Sequence, residues 1–264
     1  MNATSLSELM DFARDAARAA GPLALEHFRV KIQVEDKHTR NQYDPVTAAD
    51  RNVERYLRER ISERFPDHGI VGEEEDNKTG SNRYSWIIDP IDGTRAFISG
   101  MTAWGIMLGL RDDEKPVAGI IHQPYINETF CGSAEGAWLY HQEHVRAIST
   151  SGRQTLKDAI LYCTHPSIFT NAEEFNAFER VANACRMMRY GGDCYSYCLL
   201  ALGSVDLIIE SGLQAYDVQP LIPLIEGAGG VITDRTGACA ADGGFVVAAA
   251  SAELHARALE LLNQ

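Results

Sequence analysis

Apolar residues recur at helical intervals near the start of the chain: Leu9, Phe12, Ala16, Ala20, Leu23 and Phe28 mark a long helix over 6–28, with Ser5 placed to cap it. An irregular polar stretch, 37–43, leads into Asp44-Pro-Val-Thr-Ala-Ala-Asp50, and Val53, Leu57 and Ile61 then trace a second helix that stops before Pro66. The period shortens after that. Segments 69–72 and 84–89 read as strands, and each runs into acids: Glu73, Glu74 and Glu75 after the first, Asp89 after the second. Segments 104–110, 117–122, 128–131, 137–140 and 145–147 are further strands, separated by Gly, Pro, Asp and Asn turns, and predict an antiparallel meander.

From about residue 155 strands and helices alternate: strand 159–164, helix 172–185, strand 186–190, helix 194–201 and strand 206–210. A helix over 217–227, strands 230–233 and 245–249, and a helix from Ala252 follow. The pattern predicts an α/β (α+β) protein whose N-terminal half, 1–150, is helices plus an antiparallel sheet. Its C-terminal half, 151–264, is α/β, and the two are fused through a shared interface with a site between them.

Composition narrows the function classes. The chain has 264 residues, 45% of them hydrophobic and 23% charged, which is ordinary for a globular protein with a sizeable core. No apolar stretch approaches the ~20 residues of a membrane span. The first 20 residues lack a basic segment followed by an apolar block, so the expected location is the cytoplasm. The six cysteines contain no CxxC pair and read as reduced thiols. A net charge of −13 argues against nucleic-acid binding, which needs Lys and Arg along the phosphates. It is compatible with a small phosphorylated ligand if divalent cations stand between clustered carboxylates and the phosphate.

The clearest such cluster is Asp89-Pro-Ile-Asp92-Gly93-Thr94. Two carboxylates three residues apart can converge on one point, Pro90 fixes the backbone, and Gly93 permits an unusual φ and close approach of a ligand. Hard oxygen donors suit Mg²⁺, and amides after Gly93 can meet phosphate oxygens at the start of a short helix. A solvated Asx turn explains the motif alone equally well. Three other pieces shift the balance: Val71-Gly72-Glu73-Glu74 after a strand, Asp44-x-x-Thr47-x-x-Asp50 before a helix, and Tyr216-Asp217 followed by Pro223-Leu-Ile-Glu-Gly-Ala-Gly-Gly230.

In this order and spacing the motifs resemble the inositol monophosphatase superfamily, over nearly the whole chain. The resemblance implies a layered α-β-α-β-α sandwich, commonly homodimeric, that hydrolyses small phosphate monoesters with two or three Mg²⁺ ions and is frequently inhibited by lithium. It implies that Glu73, Asp89 and the backbone carbonyl of Ile91 hold a first metal, that Asp89, Asp92 and Asp217 hold a second, and that Asp44 helps place a third. Glu74 corresponds to an acid beside the first site. Thr94 and Asp50 correspond to the pair that orients and deprotonates the attacking water, with Glu73 also in the catalytic set, and Gly93, Thr94 and Asp217 also meet the substrate. In-line attack by water, with no phosphoenzyme, is the mechanism this implies.

Three stretches set the substrate expectation: Asp92-Gly-Thr-Arg95-Ala-Phe, Arg189-Tyr-Gly-Gly-Asp193-Cys-Tyr195-Ser-Tyr197, and the segment 212–230. They are similar to the histidinol-phosphatases of the superfamily, which serve histidine biosynthesis. Asp193 and Glu210 are acids expected near the substrate, where the ammonium and imidazole of histidinol would meet them. Arg95 and Arg189 are further candidate contacts, each with a plain alternative as a structural or surface cation; Asp193 has one as a helix N-cap, and Trp104 suits core or pocket equally. His122 and His165 read as satisfied polar residues. Inositol-1-phosphatase and nucleotide 3′-phosphatase are the enzymatic alternatives, and an inactive scaffold is the non-enzymatic one.

Overall fold

The computed structural model describes residues 5–31, 34–36 and 45–264; the polar stretch 37–43 and Asp44 lie outside the described residues. The first helix, α1 (Leu6–Leu25), is capped by Ser5, whose side chain accepts from the Glu8 amide while Glu8 reaches back to the Ser5 amide. Its buried face is mostly alanine, with Gly21 at its C-terminal end. A Cβ on Gly21 would stand 3.0 Å from His122 Nε2, so the small residue lets the helix lie close to the sheet beneath. Helix α2 (Ala48–Arg64) starts with a second capping box, Thr47 with Asp50, and packs beside α1.

These two helices cover one face of a seven-stranded sheet. Strands β1 (Glu35–Asp36) and β2 (Pro45–Val46) pair separately. In the large sheet β3 (Gly69–Gly72) pairs parallel with β4 (Tyr84–Asp92), and the rest is the expected meander of β5 (Gly105–Asp112), β6 (Lys115–Gln123), β7 (Glu128–Ser133), β8 (Gly136–His141) and β9 (His144–Ile148). Strand β4 continues past the predicted end at Asp89. Three steps along β4, from Asp89 to Asp92, oppose two along β5, from Met107 to Gly105, which is a one-residue bulge around Pro90. Helix α3 (Thr94–Ser99) follows at once.

The later residues form a five-stranded sheet in the order β11-β10-β12-β14-β13. Strand β10 (Ile160–Cys163) lies parallel to β11 (Met187–Tyr190) and β12 (Leu207–Leu213), while β14 (Gly244–Ala249) runs antiparallel to β12 and to β13 (Val231–Asp234). The remaining helices are α4 (Ala172–Ala184), α5 (Asp193–Ala201), α6 (Ala215–Val218), α7 (Leu221–Gly227) and α8 (Ala252–Leu262). The predicted helix over 217–227 is therefore two helices. Pro220 has no N–H to donate into a continuous helix, and the chain breaks at Gln219-Pro220 before α7 begins.

Strand periodicity sorts the core into layers. On β5, Ile106, Leu108 and Leu110 pack with α1 and α2, whereas Met107 points to the opposite side. On β12 and β14, Ile208, Val246 and Ala248 join Met107, Ile121, Phe130, α5 and α7 in a middle layer. Leu207, Ile209, Val247 and Ala249 face α4 and α8. The result is the expected five-layer α-β-α-β-α sandwich, with α5 to α7 between the sheets. No described helix is long and apolar enough to cross a membrane.

Candidate active site

The bulge in β4 turns two carboxylates toward the middle layer. Asp89 is buried, and its Oδ1 accepts from the Ile91 amide at 3.1 Å. The Ile91 carbonyl in turn accepts from Thr94 Oγ1 at 3.0 Å. Gly93 then adopts φ +83°, and a Cβ there would meet Ala103 O at 2.7 Å and Asp193 Cβ at 3.0 Å, so both conformation and space call for glycine. Asp92 Oδ2 accepts from the Cys194 amide at 2.6 Å, which fixes it against the N-terminus of α5. Asp217 comes from the broken helix: its Oδ2 accepts from the Gln214 amide at 2.7 Å.

Asp89, Asp92 and Asp217 thus converge, with one oxygen from each lying within 4.8 Å of the others. Burial pushes the Asp89 carboxyl well above its ordinary range, reinforced by the charges of Glu73, Asp92 and Asp217. Burial also raises Asp217 strongly, with Asp92 next in effect, and raises Asp92 against the opposing Cys194 hydrogen bond. Carboxylates this close, one buried and two partly buried, repel, and a cation with a preference for hard oxygen donors relieves both the repulsion and the lost hydration. The donor set therefore fits Mg²⁺.

Glu73 is half-buried in the turn after β3, near enough for its charge to act on Asp89 and Asp217. Glu74 follows it, with its amide donating to Glu54 at 2.8 Å. Asp50 is buried, its Oδ2 accepts from the Thr47 hydroxyl at 2.6 Å and the Thr47 amide at 2.9 Å, and its charge also reaches Asp89.

A cleft opens beside Asp92 and Asp217. Asp193 and Glu210 line it, together with Cys194 and Tyr197. Glu210 is buried on β12; its Oε1 accepts from the Thr164 amide at 2.8 Å and its Oε2 from the Tyr197 hydroxyl at 3.1 Å. Burial lifts its pKa to about 7. Burial and the charges of Asp92 and Glu210 lift Asp193 to about 8, against the pull of Arg95. Asp193 is not the N-cap of α5: Gly192 holds that place, and Asp193 is the first helical residue, at φ +43°. A non-glycine residue in that region is strained, and here the strain sits on the cleft wall.

Arg95 lies exposed on the first turn of α3, with its charge acting on Asp193. Arg189 lies exposed on the edge strand β11 and does not line the cleft. Trp104 is core, packed against Phe28 and Phe97. His122 is satisfied by Thr129 Oγ1 and the Glu128 carbonyl, and His165 by Ser167. The Cys194 amide and the Glu54 side chain were not visible as site groups in the sequence. Glu54 carried one signal, a charge one helical turn from Asp50 on the side that bears Val53, Leu57 and Ile61.

A five-layered α/β enzyme with a buried carboxylate cluster at a cleft between its sheets is the class that these features define. The chain belongs to the inositol monophosphatase family, whose profile matches residues 5–264, and it is a phosphatase of that superfamily. It is 38% identical over 98% of its length, and 76% of the relative's, to the Bifunctional phosphatase IMPL2, chloroplastic, of Arabidopsis thaliana. It is 32% identical to a Histidinol-phosphatase of Chlorobaculum parvum, with 86% of each chain covered. Among solved structures, an inositol monophosphatase from Zymomonas mobilis superposes with a TM-score of 0.87 at 33% identity, covering 99% of this chain and all of that one.

Proposed function

We propose that the protein is a Mg²⁺-dependent histidinol-phosphatase, converting L-histidinol phosphate and water to L-histidinol and phosphate in histidine biosynthesis. The observation that carries the substrate is the placing of two acids, Asp193 and Glu210, on the wall of the cleft that also holds Asp92 and Asp217. A cationic alcohol portion supplies a counter-charge for both, while a neutral polyol brings none to this acidic wall. The Histidinol-phosphatase name of the Chlorobaculum parvum relative supports the same reading.

Glu73, Asp89, Asp92, Asp217 and the Ile91 carbonyl are the groups proposed to hold two Mg²⁺ ions, with Asp44 for a third. When bound, Mg²⁺ supplies charge to neutralise the phosphate oxygens and makes water acidic enough to attack at neutral pH. The Thr94 hydroxyl proton is committed to the Ile91 carbonyl, so Thr94 offers the cleft a lone pair, which orients a water by accepting one of its protons. Asp50 is the proposed acceptor of the water's other proton, the one lost on attack, and its Thr47 bonds hold it in place. Attack is direct. The one thiol on the cleft wall, Cys194, is kept protonated by burial and by Asp92, and is a poor nucleophile. A homodimer belongs to the same proposal and rests on the family resemblance; sedimentation of the purified protein tests it.

The test is phosphate release at saturating Mg²⁺ from L-histidinol phosphate, inositol-1-phosphate, adenosine 3′,5′-bisphosphate and fructose-1,6-bisphosphate. A large kcat/KM preference for histidinol phosphate is expected. In addition, Asp193→Asn should raise KM for histidinol phosphate by about tenfold or more, and for glycerol phosphate much less. Equal losses on the two esters, or a preference for inositol-1-phosphate, would overturn the substrate assignment.

A further inference from the structure

The turn that carries Glu73 is held from below by a buried ion pair on α2. Glu54 has a fully buried side chain. Its Oε2 accepts from the Glu74 amide at 2.8 Å, and its Oε1 accepts from the Glu75 amide at 3.1 Å and from Arg58 Nε at 2.7 Å. Arg58 completes the grip by donating from Nη2 to the Glu75 carbonyl at 2.8 Å and from Nη1 to the Asp76 carbonyl at 3.0 Å. The residue before Glu73 is shaped to admit the pair. A Cβ on Gly72 would lie 2.1 Å from Glu54 Oε1 and 2.6 Å from Arg58 Nη2, so any side chain there would expel it.

We infer that Glu54 and Arg58 form a positioning clamp that sets where the Glu73 carboxylate stands relative to Asp89, and thereby raises the affinity of the cluster for divalent cation. The inference rests on the reading of the cluster as a Mg²⁺ site. A purely structural role accounts for the pair poorly, because burying two charges in this way contributes little net stability compared with an apolar contact. The backbone groups it binds also belong to Glu74, Glu75 and Asp76, the three residues directly after the proposed ligand. A carboxylate accepting two amides of a turn fixes the direction in which the preceding side chain leaves the backbone. The same helix carries Asp50 one turn earlier. Asp50, Glu54 and Arg58 at four-residue spacing share one helical face, so α2 acts as a single rigid ruler between the proposed proton acceptor and the Glu73 turn.

Mg²⁺ is titrated into the metal-free full-length protein by calorimetry, and hydrogen exchange of the Glu74 and Glu75 amides is followed in parallel. Glu54→Gln keeps the side-chain shape but turns one acceptor into a donor. It should weaken Mg²⁺ binding by about tenfold, the scale typical of lost support around metal ligands, and speed exchange at both amides. Its loss of phosphatase activity should be largely recovered at high Mg²⁺. Arg58→Lys, which keeps the charge but loses the forked contacts, should shift affinity the same way by a smaller factor, and it decides the matter if Glu54→Gln does not fold. Ile61→Val, buried on the same helix and making none of the clamp's hydrogen bonds, should lower the Tm and leave Mg²⁺ affinity at the wild-type value. Wild-type affinity in a folded Glu54→Gln or Arg58→Lys protein would overturn the clamp, as would an equal loss in Ile61→Val. Absence of Mg²⁺ binding by the wild-type protein would overturn the metal-site reading itself, and the clamp with it.

Discussion

Asp217 reaches the cluster because the chain around Pro220 lies directly on the large sheet, and that contact depends on a row of glycines. Gly109, Gly119 and Gly132 are cross-strand neighbours on β5, β6 and β7. A Cβ on Gly119 would stand 1.7 Å from Pro220 O, against an ordinary C···O approach of about 3.3 Å, so the Pro220 backbone would have to withdraw by roughly 1.6 Å. Gly119 does not have a positive φ, and alanine is acceptable to its backbone; the conflict in Gly119→Ala is with the layer above. Overpacking of this kind costs about 1–3 kcal/mol, and the gain from replacing a strand glycine returns about 0.5–1 kcal/mol. A net loss of about 1–2 kcal/mol corresponds to a Tm lower by about 2–8 °C. The larger effect is on activity. Pro220 is three residues beyond Asp217, and displacement of a catalytic group by about 1 Å can cost about 100-fold in rate. Gly109→Ala is the control: its Cβ meets Pro220 Cγ at 3.3 Å and Ile87 Cβ and Pro220 Cα at 3.4 Å, distances that shifts of a few tenths of an ångström absorb, and it should cost little in either measurement. Thermal unfolding and Mg²⁺-dependent phosphate release, measured on both variants, decide the matter. If Gly119→Ala matched Gly109→Ala in Tm and in kcat/KM, the idea that this seat positions Asp217 would be wrong.

Three further outcomes are expected. Asp92→Asn removes a proposed ligand and should abolish turnover of every ester while leaving a folded protein; retained activity would mean that the cluster is misassigned. Mg²⁺ at about 100 times its Kd should stabilise the protein by about 2.7 kcal/mol, visible as a Tm rise that EDTA reverses and that Asp89→Asn diminishes; an unchanged Tm in a protein whose activity requires Mg²⁺ would refute this. Burial, with a smaller contribution from the charge of Arg18, pushes His122 down to about 4. Its folded pKa is then below the unfolded value of about 6.5, so the unfolded chain takes up the proton first as pH falls. The contribution, on the order of 3 kcal/mol, is complete above pH ~6.5 and lost on descending to about 4. His122→Gln should flatten the difference in denaturant midpoint between pH 7 and pH 4 relative to wild type, and parallel profiles would contradict it.

The regular parts of the fold were legible because they obey local rules. Alternation along β5, β12 and β14 is readable residue by residue, and it is the same alternation that sorts Met107 from Ile106 and Ile208 from Leu207 into separate layers. Pairing partners are a different matter. Arg189 has the right chemistry for a substrate contact, yet it sits exposed on β11, whose one neighbour is β10, and that placing follows from long-range strand order. The glycine row was equally hidden. Gly109, Gly119 and Gly132 look like isolated strand weaknesses until register places them side by side under Pro220 and Leu224. Pro220 carries a usable signal, since a proline after Asp217 argues against an unbroken helix.

Departures from regular structure concentrate at the cleft. Asp89 and Asp92 flank a bulge, Gly93 and Asp193 hold positive φ against each other, and Asp217 occupies a short helix that ends at a proline break. Each departure has a local cost, and the surrounding layers are regular enough to hold it in place. The three acids come from two distant segments. Asp89 and Asp92 arrive on the large sheet and Asp217 on the middle layer, so their mutual repulsion acts across the packing between layers, where the buried contacts of Met107, Ile121 and Phe130 with α5 and α7 oppose it. A cluster spread over one flexible loop would relieve the same repulsion by moving apart. Fixing it between two rigid layers keeps the oxygens together before any cation arrives, so little binding energy is spent on ordering the site.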